Sequence, residues 1–364
     1  VILVGFMAAV MWGIGAAMGA PRRARWTMIG VLLAAVLVEQ LILPDGHPLR
    51  EATGGEPELW LLILGFAALV VVYRQALGWL RGRAEGARAV PAVPQGSFAG
   101  DALERYARQI TLREIGGPGQ KALREARVLV VGAGGLGSPA IQYLAAAGVG
   151  TLGVIDDDTV ETANLARQVI HRTDMVGSAK VFSAAEAVAA QNPHVVVKPY
   201  HRRLTEEIAA DLVAEYDLIL DGSDNFETRY LVNRVAARAG KPLIAAALTQ
   251  WEGQISLYDP ARGGPCYQCV FPEAPDRALV PSCAEAGVAG PLPGVVGAMM
   301  ALEAVKAITG AGEGLRGRLM IYDGLFADAR VIAVRRRPDC PVCAAALESR
   351  QGAVTVKGAS ATAM

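Results

Sequence analysis

Cysteine is missing from the first 265 residues, and all five lie between Cys266 and Cys343. Such clustering argues against a secreted disulfide scaffold and for a metal site or thiol chemistry. Net charge is also missing, with 35 lysines and arginines against 35 acids. That balance gives no sign of a general nucleic-acid binder. No internal repeat stands out. Charge is absent altogether from Val1 to Ala20. The chain is 52% hydrophobic, high for a soluble enzyme, and the excess sits at this N-terminal end. A length of 364 residues allows two or three domains.

Three apolar stretches open the chain: Val1 to Ala20, Trp26 to Leu43, and Leu59 to Tyr73, the last extendable to Leu80 if Arg74 snorkels. A spanning helix needs about 20 residues, so residues 1–80 read as a membrane segment of two or three transmembrane helices. A signal peptide is the rival for the first stretch, but its basic residues should precede the apolar run. Here Arg22, Arg23 and Arg25 follow it. A buried soluble helix is the rival for the third. The loop from Asp45 to Glu58 carries four acids against Arg50, whereas Arg81, Arg83 and Arg88 follow the third stretch. The positive-inside rule then places the N-terminus outside and everything after the third stretch in the cytoplasm. The expected location is the inner membrane, with the remaining domain facing the cytoplasm. Glu39 sits near the outer end of its stretch and is given no role. Val1 is not methionine, which fits an alternative start codon or a truncated chain. Residues 81–100, with Pro91, Pro94 and several glycines, read as a linker.

The organising stretch of the remainder is Val128-Leu-Val-Val-Gly-Ala-Gly-Gly-Leu-Gly-Ser-Pro139. Val128 to Val131 reads as a buried parallel strand. It breaks into Gly132-x-Gly134-Gly135-x-Gly137, and Pro139 suits the first turn of a helix through Ala147. Strand, glycine turn and helix together make a phosphate cradle, because free N–H groups and the helix dipole favour an anion there. Asp156 ends a second strand, Leu152 to Ile155, where a carboxylate can hold a ribose. The motif alone does not separate a nicotinamide enzyme from an ATP enzyme. Two more strands, Asp217 to Leu220 and Pro242 to Ala245, complete the alternation of an α/β, Rossmann-like doubly wound sheet.

Asp101 to Ile115 reads as a helix, joined to the first strand by a glycine-rich segment, Gly116 to Gly119. Arg105 and Arg108 share one of its faces, which spacing alone would assign to solvent. Arg167 and Lys180 could likewise be surface charges, and Asp224 could cap a helix starting near Phe226. The set, however, occurs in one order: Arg105-Tyr-x-Arg-Gln109, the Gly132 loop, Asp156-x-Asp158-x-Val160, Asn164-Leu-x-Arg-Gln168, Gly177-x-x-Lys180 and Asp221-x-x-Asp-Asn225. It resembles the MoeB/ThiF/HesA proteins, bacterial relatives of ubiquitin-activating enzymes. The resemblance runs over residues 101–343. The membrane segment lies outside it, and 344–364 is left as a tail.

That resemblance implies an enzyme that uses ATP and Mg²⁺ to adenylate the C-terminal glycine of a small ubiquitin-like sulfur carrier ending in Gly-Gly. The molybdopterin-synthase type is the expected branch, as part of molybdenum cofactor biosynthesis. The resemblance assigns the glycine turn, Asp156, Asp158 and Gln168 to the nucleotide, with Asp156 on the ribose. Asn164, Arg167 and Lys180 serve the phosphates. Asp224 serves Mg²⁺, and Asn225 lies beside it. Arg108 reaches the triphosphate from the partner subunit of a homodimer. Thiamine sulfur-carrier activation and tRNA threonylcarbamoyl-adenosine dehydration are the alternatives within the family. A nicotinamide oxidoreductase would leave Arg108, Lys180 and Asp224 unexplained, and an inactive carrier-binding scaffold would have lost the phosphate residues.

Cys266-x-x-Cys269 and Cys340-x-x-Cys343 can supply four thiolates to a closed tetrahedral Zn²⁺. The spacing leaves redox pairs open, although neither unit is read as opening a thioredoxin-like helix. The resemblance favours structural zinc. Cys283, in Cys-x-x-Ala-Gly-Val288, matches the setting of a cysteine that joins sulfur transfer in ThiF-like members. The alternative is a small, partly buried residue. With only some twenty residues after Cys343, no rhodanese domain is expected, and sulfur is expected from a separate donor protein.

Overall fold

The computed structural model describes residues 2–54, 100–275 and 286–344, with part of 58–77. The chain divides into two units, Val1–Ala89 and Val90–Met364. Cys283, most of the linker at 81–100 and nearly all of the tail lie outside the described residues, as does part of the third apolar stretch.

The N-terminal unit contains α1 (Ile2–Ala17), α2 (Arg22–Ile42) and α3 (Pro48–Thr53). Within α2, the 19 residues Ala24–Ile42 are long and apolar enough to cross a membrane, whereas α1 has 16 residues and is shorter. Their large side chains point outward: Leu3, Phe6, Ile14, Val31, Leu41 and Ile42 are all exposed. Among the described residues of this unit, the buried apolar cluster is small: Val4, Val36 and Trp60. The acidic stretch after α2 holds the short helix α3, which a loop reading missed. Pro48 occupies its first turn and His47 Nδ1 accepts from Leu49 N–H at 3.3 Å. Buried Gln40 donates Nε2 to the Arg50 carbonyl at 3.0 Å, and Glu39 lies 3.2 Å from the Thr53 hydroxyl, so polar groups tie the end of α2 to α3.

The second unit opens with α4 (Gly100–Ile110) and α5 (Gly116–Glu125). The helix expected to run to Ile115 therefore ends at Ile110, and Gly116–Gly119 is not a loose joint but the first turn of α5. Gly116 takes φ +57°, Pro118 fits an early helical position, and a Cβ on Gly119 would meet Ile115 at 2.9 Å. The chain continues with β1 (Arg127–Val131), α6 (Gly137–Ala147), β2 (Thr151–Ile155), α7 (Lys180–Gln191) and β3 (Val196–Tyr200). Next come α8 (Glu206–Ala214), β4 (Leu218–Asp221), α9 (Phe226–Ala239), β5 (Leu243–Leu248) and β6 (Glu252–Tyr258). The short α10 (Tyr267–Val270), α11 (Leu292–Thr309), β7 (Arg318–Asp323) and β8 (Asp328–Ala333) complete it.

The strands form one sheet in the order β3-β2-β1-β4-β5-β6-β7-β8. The first five are parallel, and β6 to β8 extend them antiparallel. Along β1 the side chains alternate between two cores. Val128 and Val130 pack with Ile141 and Leu144 of α6, Val181 of α7 and Val296 and Met300 of α11. Leu129 and Val131 pack with Val213 of α8 and Val232 of α9. Burial on both faces is why β1 reads as an unbroken apolar run, each such side chain being worth about 1.5–3 kcal/mol. Helix α11 is apolar and long enough to pass for a membrane span, but it is a core helix: Val296, Met300 and Ala304 are fully buried.

Candidate nucleotide site and cysteine cluster

Each glycine of the turn has its own reason. Gly132 adopts φ +92°, and a Cβ there would lie 3.2 Å from the Gly222 carbonyl. A Cβ on Gly137 would fall 1.9 Å from the Gly132 carbonyl, so only glycine closes the turn. Gly135 makes room for Pro293 of α11, 3.1 Å from a Cβ at that position. Gly134 is different: a Cβ would meet only Gln168 Nε2, at an ordinary 3.7 Å. Two of the four therefore serve the turn and one serves packing, which leaves Gly134 as the open approach.

The turn sits at the carboxyl ends of β1 and β4, where the strand order reverses and open α/β sheets bind ligands. Around it the predicted residues converge. Asp156 Oδ2 accepts from Ala133 N–H at 2.7 Å, and its Oδ1 accepts from Asp158 N–H at 2.8 Å. Asp158 in turn pairs with the buried Lys180 at 2.9 Å. Asn164 Oδ1 accepts from Arg167 Nη2 at 3.1 Å. Gln168 is buried beside Gly134, and its Oε1 has no hydrogen-bond partner. The N–H groups of Gly134, Gly135 and Leu136 donate to no acceptor among the described residues. Free N–H donors at a helix N-terminus fit a phosphate, whereas the orphaned Gln168 oxygen asks for a donor such as a hydroxyl or amine.

From the β4 side, Asp221 is buried and its Oδ1 accepts from both the N–H and the hydroxyl of Ser223, at 2.9 and 2.6 Å. Buried Arg229 donates to the Ser223 carbonyl, fixing the same turn. The helix cap belongs to Asn225, whose Oδ1 accepts from Thr228 N–H at 2.9 Å. Asp224 is exposed and makes no hydrogen bond or ion pair among the described residues, so a capping role for it is excluded and its carboxylate is left for another partner.

Arg108 is not brought to this turn. Its helix is anchored at the other end of α6: Tyr106 packs on Gly148, and Gln109 Nε2 donates to the Ala147 carbonyl at 3.1 Å. The 11 residues of α6 separate that end from the glycine turn by about 16 Å. His171 was not foreseen. It is buried, with Nε2 donating to the Ala133 carbonyl at 3.0 Å and Nδ1 accepting from Ser183 Oγ at 2.9 Å. The carbonyl must accept, which fixes the tautomer. Burial pushes its pKa below the ordinary 6.5, and Lys180 adds to the shift. The only sequence signal was a lone histidine three residues after Gln168.

At the other end of the unit the four cysteines meet. Sγ separations are 3.8 Å for Cys266 and Cys269, 3.5 Å for Cys266 and Cys340, and 3.4 Å for Cys269 and Cys343. All four are buried, and together they could hold a metal ion. Cys266 stands at the N-terminus of the four-residue helix α10, which is no thioredoxin-like setting, and the four sulfurs form one group rather than two redox pairs. Asn233 Nδ2 donates to Cys266 Sγ at 3.8 Å and Arg337 N–H to Cys269 Sγ at 3.5 Å. The neighbouring thiols and burial push Cys266 up, whereas the hydrogen bonds it receives draw Cys269 down to about 4. Four such sulfurs ionise together only around a central cation, and the donor set fits zinc. The neighbouring acids Asp156 to Asp158 lie at the glycine turn, where Asp156 accepts from Ala133 N–H.

Comparison with known proteins agrees with this geometry. The ThiF family matches residues 106–342, and the chain belongs to that family. It is 51% identical to a sulfur carrier protein adenylyltransferase of Thermus thermophilus over 245 residues, 66% of this chain and 90% of that protein. It is 49% identical to the bovine adenylyltransferase and sulfurtransferase MOCS3 over 263 residues, 71% of this chain but 58% of that protein. Among solved structures it resembles Escherichia coli MccB bound to MccA-N7isoASN, with a TM-score of 0.59 and 25% identity, covering 66% of this chain and 74% of MccB.

Proposed function

We propose that the chain adenylates the C-terminal glycine of a ubiquitin-like sulfur carrier, most closely in the manner of a molybdopterin-synthase adenylyltransferase. The observation that carries the reading is the open approach at Gly134, flanked by three unused N–H donors, Gln168 Oε1 and the Lys180–Asp158 pair. The carrier carboxylate attacks the α-phosphorus of ATP and pyrophosphate leaves. The chain's task is to orient the two and to offset charge on the departing oxygens. The unused N–H groups cradle a phosphate, and Asp156 keeps a lone pair on each oxygen for the ribose. Lys180, Asn164 and Arg167 face the phosphates. Asp224 would hold Mg²⁺, which neutralises triphosphate charge. The four cysteines would hold structural Zn²⁺.

Arg108 serves the partner's site in a homodimer, in keeping with its place at the far end of α6. The outward apolar faces of α1 and α2 support reading residues 1–80 as a membrane anchor, joined through 81–100 to a cytoplasmic adenylyltransferase domain at 101–343. The test is ATP–pyrophosphate exchange with the purified full chain and each candidate carrier of the same organism. Exchange is expected only with a carrier, and with the molybdopterin-type carrier above the thiamine-type one. Preference for the thiamine carrier would move the chain to the ThiF-like branch. Exchange without any carrier would overturn the reading.

A further inference from the structure

A second charged site lies away from the nucleotide turn. Arg262, Gly263, Gly264, Pro265, Arg316, Gly317 and Val334 to Arg336 line an open pocket of about 390 Å³. Strand registers place it at the opposite end of the sheet. Ile219 aligns with Leu243 and Leu243 with Tyr258, so Asp259 follows the end of β6 that lies beside the beginning of β4. The nucleotide turn lies at the other ends of β1 and β4, about 13 Å away along strands of 3.3 Å per residue.

Four arginines line this pocket, and one carboxylate, that of Asp259, lies beside two of them. Asp259 is buried and pairs with Arg316 at 3.0 Å, while Arg262 Nε stands 3.9 Å from the same oxygen. Arg335 and Arg336 form no ion pair among the described residues, and Arg336 Nε is buried without any hydrogen-bond partner. Arg335 is exposed, so its guanidinium is open to an arriving anion. The walls are also held close. Gly263 takes φ +83°, and a Cβ on Gly264 would meet Arg316 at 2.9 Å and the Asp259 carbonyl at 3.0 Å. One wall runs into Cys266. The other runs into Arg337, whose N–H is bonded to Cys269 Sγ.

We propose that this pocket binds an oligophosphate, a compact anion with at least two phosphate groups. Arginine forks match phosphate oxygens in pairs, and the surplus of guanidinium charge asks for more than one negative charge. Inorganic tripolyphosphate titrated into the full chain should bind and slow amide exchange at residues 262–264 and 334–336. Arg335→Gln and Arg262→Gln change exposed side chains, so each protein should fold normally, as thermal unfolding would verify. Each should weaken binding about tenfold, one charge-assisted contact. Lys180→Ala should leave this binding and its exchange protection intact. Glycerophosphoglycerol, with one phosphate, should bind far more weakly. Unchanged binding in both arginine variants, protection confined to residues 132–137, or equal affinity for glycerophosphoglycerol would overturn the proposal.

Discussion

The N-terminal unit and the α/β unit put apolar side chains on opposite sides. In the first, Phe6, Val31 and Ile42 face outward around a core of Val4, Val36 and Trp60. In the second, Leu129, Val130 and Ile219 are fully enclosed. Apolar surface turned outward has no favourable home in water. This outward apolar surface is the observation behind the proposed membrane anchor.

The largest effect that would break this contrast is topological. A periplasm-active reporter fused within Asp45 to Glu58 is expected to give signal, and the same reporter after Gly86 none; the reverse pattern would place the adenylyltransferase unit on the wrong side for ATP. Next in size is Asp224→Ala. With the capping role taken by Asn225, this change should leave thermal stability nearly untouched but lower pyrophosphate exchange by on the order of 100-fold or more. Loss of stability in step with loss of activity would return Asp224 to a structural part.

Packing comes third. Leu129→Ala should destabilise the α/β unit by about 2–5 kcal/mol in denaturant unfolding. Phe6→Ala, on an outward face, should leave that transition within about 0.5 kcal/mol. Equal effects would show that the two units do not differ in what they bury. The smallest effect is that of pH. His171 is neutral in the folded unit, with a pKa held below 6.5 chiefly by burial. The unfolded chain therefore takes up this proton first as pH falls. Its contribution is complete above about pH 6.5 and declines below it. His171→Gln should flatten that part of the stability profile, measured against the parent chain.

Much of the α/β unit was legible because its parallel strands are buried on both faces and its glycines are forced by sterics. Gly137 could be no other residue, and β1 could hardly be anything but a strand. Other features carried no such mark. Every residue of β8 is exposed, so no apolar alternation announces it. Asp224 and Asn225 are both good caps by type, and only the structure separates them. The end of the helix at Ile110 hides within residues that suit a helix, and only Gly116, with φ +57°, marks the turn that follows. His171 looked like any isolated histidine because its partners, Ala133 and Ser183, are distant in sequence.

The cysteine cluster has a consequence for the chain as a polymer. Cys266 and Cys340 stand 74 residues apart, and between them lie α11, β7 and β8. A metal joining the four sulfurs closes that whole stretch into a ring. A closed ring of this length has far fewer unfolded arrangements than an open chain, a difference on the order of 4 kcal/mol. The antiparallel edge, with its exposed last strand, would then keep its place less through its own contacts than through the few arrangements left to it elsewhere.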